Sequence, residues 1–427
     1  MAVDLLSIAR SGVLASQQQI AVTGNNITNV NTAGYHRQVA NQSTLGAVYE
    51  GGNFYGTGAY VTDVKRIYND YAARELRIGG SSLSAAQTDL AKMSELDNLF
   101  SQVGKQVPES LKGFFESLNN LTDLPNDAGM REGVLSSAAQ LMDSIKQMQS
   151  NLNGQVTQTN TQISGVTDRI NEISKEIAAI NDEMMKSPEN PMHLLDQQER
   201  LIQELSTYAE VNVIPLEQGG SSIMLGGSVM LVSGNIGMEL GTTEGNPFPE
   251  QMQITAKFGD KQVAFDASSV GGQLGALIQF RDESVLPAIS ELGQMALGIA
   301  DAFNKQQSQG LDANGNVGQN LFTDINDPSL MTGRVGAHGS NKGSAELSVN
   351  ITDVGALSGN NYQLQFTAPD SYTLKDTKTG VETPMKVNGT TLEGPKGFSI
   401  EMQGAMQMVI HLKLDLRPVL RAILMLP

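Results

Sequence analysis

From Leu141 to Met184 residues suited to a buried stripe recur at steps of three and four without a break, through Ile145, Met148, Leu152, Val156, Thr159, Ile163, Val166, Ile170, Ile173, Ile177 and Ile180. Steps of that size place side chains on one face of an α-helix, so the stretch predicts a single helix roughly 65 Å long at about 1.5 Å per residue. Polar residues fill the remaining positions, which makes the stripe a coiled-coil or bundle seam, and two consecutive steps of four around Leu152 have the form of a stutter. A second series, Val285, Ile289, Leu292, Ala296, Ile299 and Phe303, keeps the same spacing. The expectation is that the whole stripe from 141 to 184, with Ile163, Val166, Ile170, Ile173, Ile177 and Ile180 in its seam, packs against the one from 285 to 303, with Ile289, Leu292 and Ile299 in its own. Pro188 and Pro191 end the long helix, and a further helix from His193 buries Leu194, Leu195, Leu201, Ile202 and Leu205.

Elsewhere the period changes. Residues 211–270 alternate apolar and polar side chains between Gly-rich turns, the pattern of a small antiparallel sheet, and residues 324–407 do the same in a Gly/Ser/Asn-rich region suited to a sandwich-like module. Thr44–Val61 predicts a short β excursion or an extended loop, and Val64–Gly79 returns to helical spacing. Two helices joined by a turn at Pro125 follow, with Phe114 and Phe115 on the first. At the N-terminus Leu5, Ile8, Gly12, Val13, Ser16 and Ile20 predict one amphipathic helix whose narrow stripe, with Leu5, Ile8, Gly12 and Ile20 as packing residues, suits a partner helix. The run after it holds Asn25, Asn26, Asn29 and Asn31 with Thr32, Gly34 and Tyr35; such side chains bond nearby backbone, end helices and shape turns. The fold class expected is mainly α with β modules: an elongated multi-domain chain with a long helical bundle, a small antiparallel sheet and a projecting β domain.

Composition narrows the chemistry. A formal net charge of -17 repels phosphates and acidic lipids, so neither nucleic acid nor membrane insertion is expected. The absence of cysteine removes disulfides, thiol catalysis and zinc–thiolate sites. His36, His193, His338 and His411 are scattered, with no partner at ligand spacing. The Asp312–Thr323 stretch mimics half a calcium loop, but Val317 stands where the turn needs Gly and Thr323 where a bidentate Glu is needed, so a plain turn is expected. No nucleotide loop or nucleophile motif stands in a fitting context. No catalytic residue, cofactor or metal is expected.

Asn25–Tyr35 carries a more specific signal. NNITNVNTAGY resembles the ANNxANxxTxGY signature of the rod, hook and hook-associated proteins of the bacterial flagellum, departing at Gly24 and Thr28. FYGTGAYVTDVKRIYNDYAARELR, the FF-x-x-L-N-N-L…P-N-D…R pattern around Phe114, LLDQQERLIQELS and the segment from Gly271 to Phe322 are similar to the junction-type hook-associated proteins, with Gln198 and Glu199 replacing a usual Arg-Asp. The resemblance covers residues 1 to about 407. It implies a structural subunit between hook and filament, outside the cell, whose N-terminal helix pairs with the chain's own C-terminal helix. The partners implied are further copies in a ring-like homo-oligomer, the hook protein, a second junction protein on the filament side and a dedicated export chaperone. MAVDLLSIARSG lacks a long apolar core and a cleavage motif, so no cleavable signal peptide is expected. A hook or distal-rod subunit is the nearest alternative, and a flagellum-associated wall hydrolase the alternative of another class.

The domains expected are 1–40, the axial helix and Asn-rich motif; 41–323, the helical bundle with its inserted sheet at about 211–270; 324–407, an incomplete outer β domain; and 408–427. The last segment, MVIHLKLDLRPVLRAILMLP, lacks the Gly, Ser, Thr and Asn that dominate what precedes it. It is expected to be out-of-frame, which would cost the β domain its closing strands and the chain its C-terminal helix. A lone helix of about twenty residues is marginal in water, so residues 1–40 are expected to be mobile in the monomer. Hydrogen exchange checks this: amides of that segment exchange fast, and strong protection would contradict it.

Overall fold

The computed structural model describes the chain apart from residues 1–4, 187–191, 217–219, 260, 268, 313, 340, 342–344, 369–370, 395–396, 404–410 and 415–427. The turn expected at Pro188 and Pro191, and all of 408–427 except 411–414, lie outside the described residues. Two compact units result: Met1–Thr88 with Ser164–Gly241 and Ile254–Ala276, and Asp89–Ile163 with Thr242–Gln253 and Leu277–Pro427.

The first unit opens with α1 (Leu5–Thr28) and an antiparallel ribbon of β1 (Gln38–Thr44) and β4 (Ala59–Arg66), with a small hairpin of β2 (Ala47–Glu50) and β3 (Asn53–Gly56) at its far end. Gly51 and Gly52 both adopt positive φ, 62° and 86°, as the tight primed turn of a two-residue hairpin requires. Val64 to Arg66 complete β4, so helix α2 (Asp70–Val103) starts later than helical spacing suggested; pairing with Gln38–Ala40 holds those residues extended, and Asn69 Oδ1 accepts the Ala72 amide at 3.1 Å to begin the helix. Helices α3 (Gln106–Asp123), α4 (Ala128–Lys186) and α5 (Met192–Tyr208) follow. A four-stranded meander, β5 (Val211–Pro215), β6 (Ser221–Leu225), β7 (Val229–Ser233) and β8 (Ile236–Gly237), precedes a three-stranded sheet of β9 (Leu240–Thr243), β10 (Gln253–Phe258) and β11 (Lys261–Ala264).

Helix α4 runs through both units. Ile163, Val166, Ile170, Ile173, Ile177, Ile180 and Met184 are all buried. On the same stretch Asn171 exchanges two 2.8 Å hydrogen bonds with the Leu240 backbone, and Asn181 donates to the Ser221 and Gly234 carbonyls while accepting from Gln198 at 2.6 Å. These amides satisfy strand ends that would otherwise be buried unpaired.

Helix α6 (Gly272–Gln279), whose residues up to Ala276 belong to the first unit, passes through a π-helical segment, Phe280–Val285, into α7 (Leu286–Gln307) of the second. One core joins Leu141, Ile145, Met148, Leu152 and Val156 of α4 to Val285, Ile289, Ala296, Leu297 and Ala300, with Leu292, Ile299 and Phe303 packed on it. Phe114 is wholly buried there, its ring 4.9 Å from Phe303 and 6.2 Å from Phe322. The expected pairing of the two stripes therefore holds for Leu141–Val156, whereas Val166, Ile170, Ile173, Ile177 and Ile180 belong to the first unit. Length explains the division: α4 has 59 residues and α7 has 22, about 88 Å against about 33 Å at 1.5 Å per residue, so α7 reaches only part of the seam.

Beyond the short helix α8 (Pro328–Gly333) the chain forms two sheets around a second core of Leu347, Val349, Leu364, Leu374, Leu392, Phe398 and Ile400. One is ordered β12 (Val335–Ala337), β20 (His411–Leu414), β14 (Tyr362–Ala368), β15 (Ser371–Asp376), β16 (Glu382–Pro384). The other is ordered β13 (Glu346–Ile351), β19 (Phe398–Gln403), β18 (Thr391–Glu393), β17 (Lys386–Asn388). His411–Leu414 of the atypical tail thus lies hydrogen-bonded between β12 and β14.

Strand β13 is an edge, and its outward polar groups are covered from within the chain. Asn326 pairs with both backbone groups of Ile351 at 2.9 Å. The wholly buried Arg334 donates to the Val349 carbonyl at 2.9 Å and to the Ile325 carbonyl. Burial pulls the Arg334 guanidinium down to about 10, with Asp324 opposing. Arg334→Ala removes both donors and leaves a cavity, and is expected to cost the second unit about 3–5 kcal/mol in urea denaturation followed by circular dichroism.

Candidate functional site

The Asn-rich run is the hinge pin of a polar clasp. Asn26, on the last turns of α1, donates from Nδ2 to the Gln38 carbonyl at 2.8 Å and accepts the Gln38 amide at 2.8 Å, so its side chain acts as one more rung of strand β1. The Tyr35 hydroxyl donates to the same Asn26 oxygen at 2.8 Å and receives Asn25 Nδ2 at 3.4 Å. Asn29 donates to the Asn25 carbonyl at 3.0 Å and to Asn25 Oδ1 at 2.9 Å, and Thr32 reaches Asn29 Oδ1 at 3.3 Å. Gly34 has φ 80°, a backbone conformation that favours glycine, while the nearest atom of α5, Arg200 Cβ, would stand 3.4 Å from an added Cβ, within ordinary contact. Asn25, Asn26, Asn29, Thr32, Gly34 and Tyr35 are brought together at one end of α1, and these bonds tie down residues 25–38, so the fast exchange expected for all of residues 1–40 is confined to those ahead of Asn25.

Helix α5 closes the clasp. His36 Nδ1 lies 2.8 Å from Asp196 Oδ1, and Arg66 donates to that oxygen at 3.0 Å. The Arg66 guanidinium also sits 4.3 Å from the centre of the Tyr68 ring, a cation–π contact. Tyr68 donates to Glu199 at 2.9 Å, and Arg77 reaches the other oxygen of Glu199 at 2.8 Å. Asp196 and Glu199 stand three residues apart and so share a helix face, each matched by an arginine from the N-terminal segment. Their side chains are 12% and 15% exposed, which places these pairs where solvent screens them poorly. Burial first, and the Asp196 charge second, hold the Tyr35 phenol above its ordinary value; burial does the same for Tyr68. Sequence reasoning saw α5 only as an apolar helix. The missed signal was a pair of carboxylates at i and i+3 beside its apolar stripe.

Against the ribbon α1 sets Ile8, Ser11, Ala15, Val22 and Asn26, with the Ser11 hydroxyl accepting the Ala59 amide at 3.2 Å and Gln19 bonding Gln42 at 3.0 Å. The expected packing residues therefore divide: Ile8 turns toward the ribbon, a Cβ at Gly12 would meet nothing within 4 Å among the described residues, and Leu5 and Ile20 face solvent. Leu6, Val13, Ile20 and Ile27 recur every seven residues and are 76%, 57%, 71% and 67% exposed. That outward stripe is a ready seam for another helix.

The remaining candidates have local uses. Asp312 Oδ1 accepts the Asn314 and Asn316 amides at 2.8 Å, and these bonds, that of Asn316 first, hold its carboxyl below the usual range. Among the described residues no group of three or more His, Asp or Glu stands at metal-binding spacing, and no helix is long and apolar enough to cross a membrane.

Asn26→Ala is expected to strip Gln38 of both partners, cost about 1–3 kcal/mol locally and speed exchange of the Gln38 amide more than tenfold. The two tyrosines act at high pH. A fold that binds the phenol proton more tightly than the unfolded chain keeps that stabilisation below the ordinary value of 10.0 and loses it as pH rises through the raised one. Replacing both Tyr35 and Tyr68 by Phe is expected to remove this alkaline loosening, followed by circular dichroism between roughly pH 9 and pH 12, the span of phenol ionisation.

Comparison with known proteins agrees with this architecture. The family described as "Flagellar hook-associated protein FlgK helical domain" matches residues 93–322, and "Flagella basal body rod protein" matches residues 6–36. Flagellar hook-associated protein 1 of Escherichia coli is 28% identical over 371 residues, covering 85% of this chain and 66% of that protein. Its counterpart in Salmonella typhimurium is 29% identical over 383 residues, covering 86% and 67%. The solved structure of the flagellar hook junction protein FlgK from Burkholderia pseudomallei superposes with a TM-score of 0.71 at 26% identity, covering 82% of this chain and 63% of that one. The chain spans about two thirds of the length of these relatives. With the helical-domain profile matched over more than half of its length and the rod-protein profile over the clasp-bearing N-terminus, the chain belongs to the FlgK family of flagellar hook-associated proteins.

Proposed function

We propose that this chain is a structural subunit of the bacterial flagellum, seated at the junction of hook and filament and acting by self-assembly rather than by catalysis. The observation that carries the proposal is the outward stripe of α1. Leu6, Val13, Ile20 and Ile27 stay in water in the isolated chain, yet the clasp of Asn26, Tyr35, His36, Arg66, Asp196 and Glu199 fixes the C-terminal end of that helix to the rest of the first unit. A helix held firmly with an unburied apolar face is prepared for neighbouring helices. Family membership and the hook-junction description of the Burkholderia relative support the same assignment.

Residues 1–40 serve in this reading as the axial segment, 41–323 as the helical region and 324–407 as an outer β module. The partners are other copies of the chain, the hook protein on one side, a second junction protein on the other, and a dedicated export chaperone. The site of action is the flagellum outside the cell.

A charge in the stripe tests the proposal. Ile20→Asp sits on an exposed position and leaves the clasp intact, so the two units are expected to fold as before. In the source bacterium the variant is expected in the culture medium but not in purified appendages, with swimming lost, whereas labelled parent chain marks the hook–filament junction. Parent chain absent from that junction, or turnover of peptidoglycan by purified protein, contradicts the assignment.

A further inference from the structure

The hairpin at the end of the ribbon exposes an aromatic pair that none of the described residues covers. Tyr49 and Phe54 face each other across β2 and β3, rings 5.0 Å apart, and are 63% and 75% exposed, with Tyr55 at 48% beside them. At the other end of the same ribbon the C-terminal turns of α1 and strand β1 enclose a groove of about 840 Å³, lined on its apolar side by Val22, Ile27, Val30, Tyr35 and Val39. A volume of that size suits aromatic anchors, since ligand pockets run roughly 300–1,000 Å³.

One chain does not bring the two together. The ribbon pairs Gln38 with Arg66 at one end and Thr44 with Ala59 at the other, with a bulge at Thr62 between them, and α1 lies along it, tied at Asn26 to Gln38 and at Ser11 to Ala59. Tip and groove are thus separated by about fifteen helical residues, on the order of 22 Å. Charge selects the occupant. The first sixty residues hold two basic and two acidic side chains, so the whole net charge of -17 resides in the rest of the chain. Two copies of so acidic a chain repel as wholes, and the charge-balanced segment that carries both tip and groove is where that repulsion opposes contact least, while a cationic partner would be drawn to the acidic remainder instead.

We infer that the Tyr49–Phe54 tip of one copy seats in the Val22–Ile27–Val30–Val39 groove of the next. The inference rests on the self-assembly proposed above and specifies its contact: the N-terminal part of the α1 stripe meets helices, and its C-terminal end receives the neighbour's tip. Because tip and groove are different surfaces, the contact is head-to-tail, and repetition generates a ring or a helical array rather than a closed pair.

The chain has no cysteine, so introduced thiols report cleanly. In the source bacterium the gene is replaced by the Phe54→Cys/Ile27→Cys double variant, and sheared appendages are treated with a short bis-maleimide. The expected result is a ladder at multiples of the 45.6 kDa chain, absent from either single variant. A second pair, Tyr49→Cys with Val30→Cys, gives the same ladder and guards against loss of incorporation by one substitution. Chain present in the appendages without a ladder from either pair overturns the inference and leaves the assembly reading standing. So do dimers alone that a single variant also yields, because they mark a self-paired contact. Parent chain missing from the appendages overturns both.

Discussion

Burial of one face of α4 is the constraint on which the rest of the structure depends. The helix spans 59 residues, and no isolated helix of that composition, rich in Ser, Thr, Asn and Gln, would hold its length in water through propensity alone. Its stripe is covered in two instalments. Leu141 to Val156 share a core with α7, Phe114 and Phe322, and Val166 to Met184 are buried in the unit built from α5 and the β5–β8 meander. At about 1.5–3 kcal/mol for each large aliphatic side chain removed from water, this row is the largest apolar contribution either unit receives from a single element.

Apolar burial places α4 against its neighbours without choosing a register; the buried polar side chains make that choice. Asn171 and Asn181 each close more than one hydrogen bond to strand ends, and Gln198 links Asn181 to Ser221. A slip of one residue would leave these amides unpaired in the interior, at about 1–3 kcal/mol each, so the strands have one favourable position along the helix. Arg334 and Asn326 act alike on the edge of β13, where their bonds stop the strand from templating further pairing.

The N-terminal region follows the opposite logic. Its apolar side chains stay outside, its polar ones are tied inward, and its charges nearly cancel in a strongly acidic chain. Clasp and exposed stripe belong together: a sticky helix is useful in assembly only if its direction is set, and the Asp196 and Glu199 pairs set it. The departure of Gln198 and Glu199 from the residues usual at those positions is absorbed without loss, since Gln198 bonds Asn181 and Glu199 holds Tyr68 and Arg77.

The sequence by itself determined the helices, the period change at residue 211, the β character beyond 324, the family and the Asn-rich turn, because each is written in local spacing that backbone geometry reads directly. It placed Val64–Arg66 in a helix, since strand β4 is held by pairing with residues more than twenty positions away. It also could not divide the α4 seam, which follows from the unequal lengths of α4 and α7 once packed. Which side of α1 faces the ribbon, and the meeting of His36, Arg66 and Arg77 with α5 across more than a hundred residues, were decided only by tertiary structure. The physical reason is common to all three. A period states that a face exists, but what covers that face, and which buried charge finds a partner, depends on segments far away in the chain that compete for the same surface.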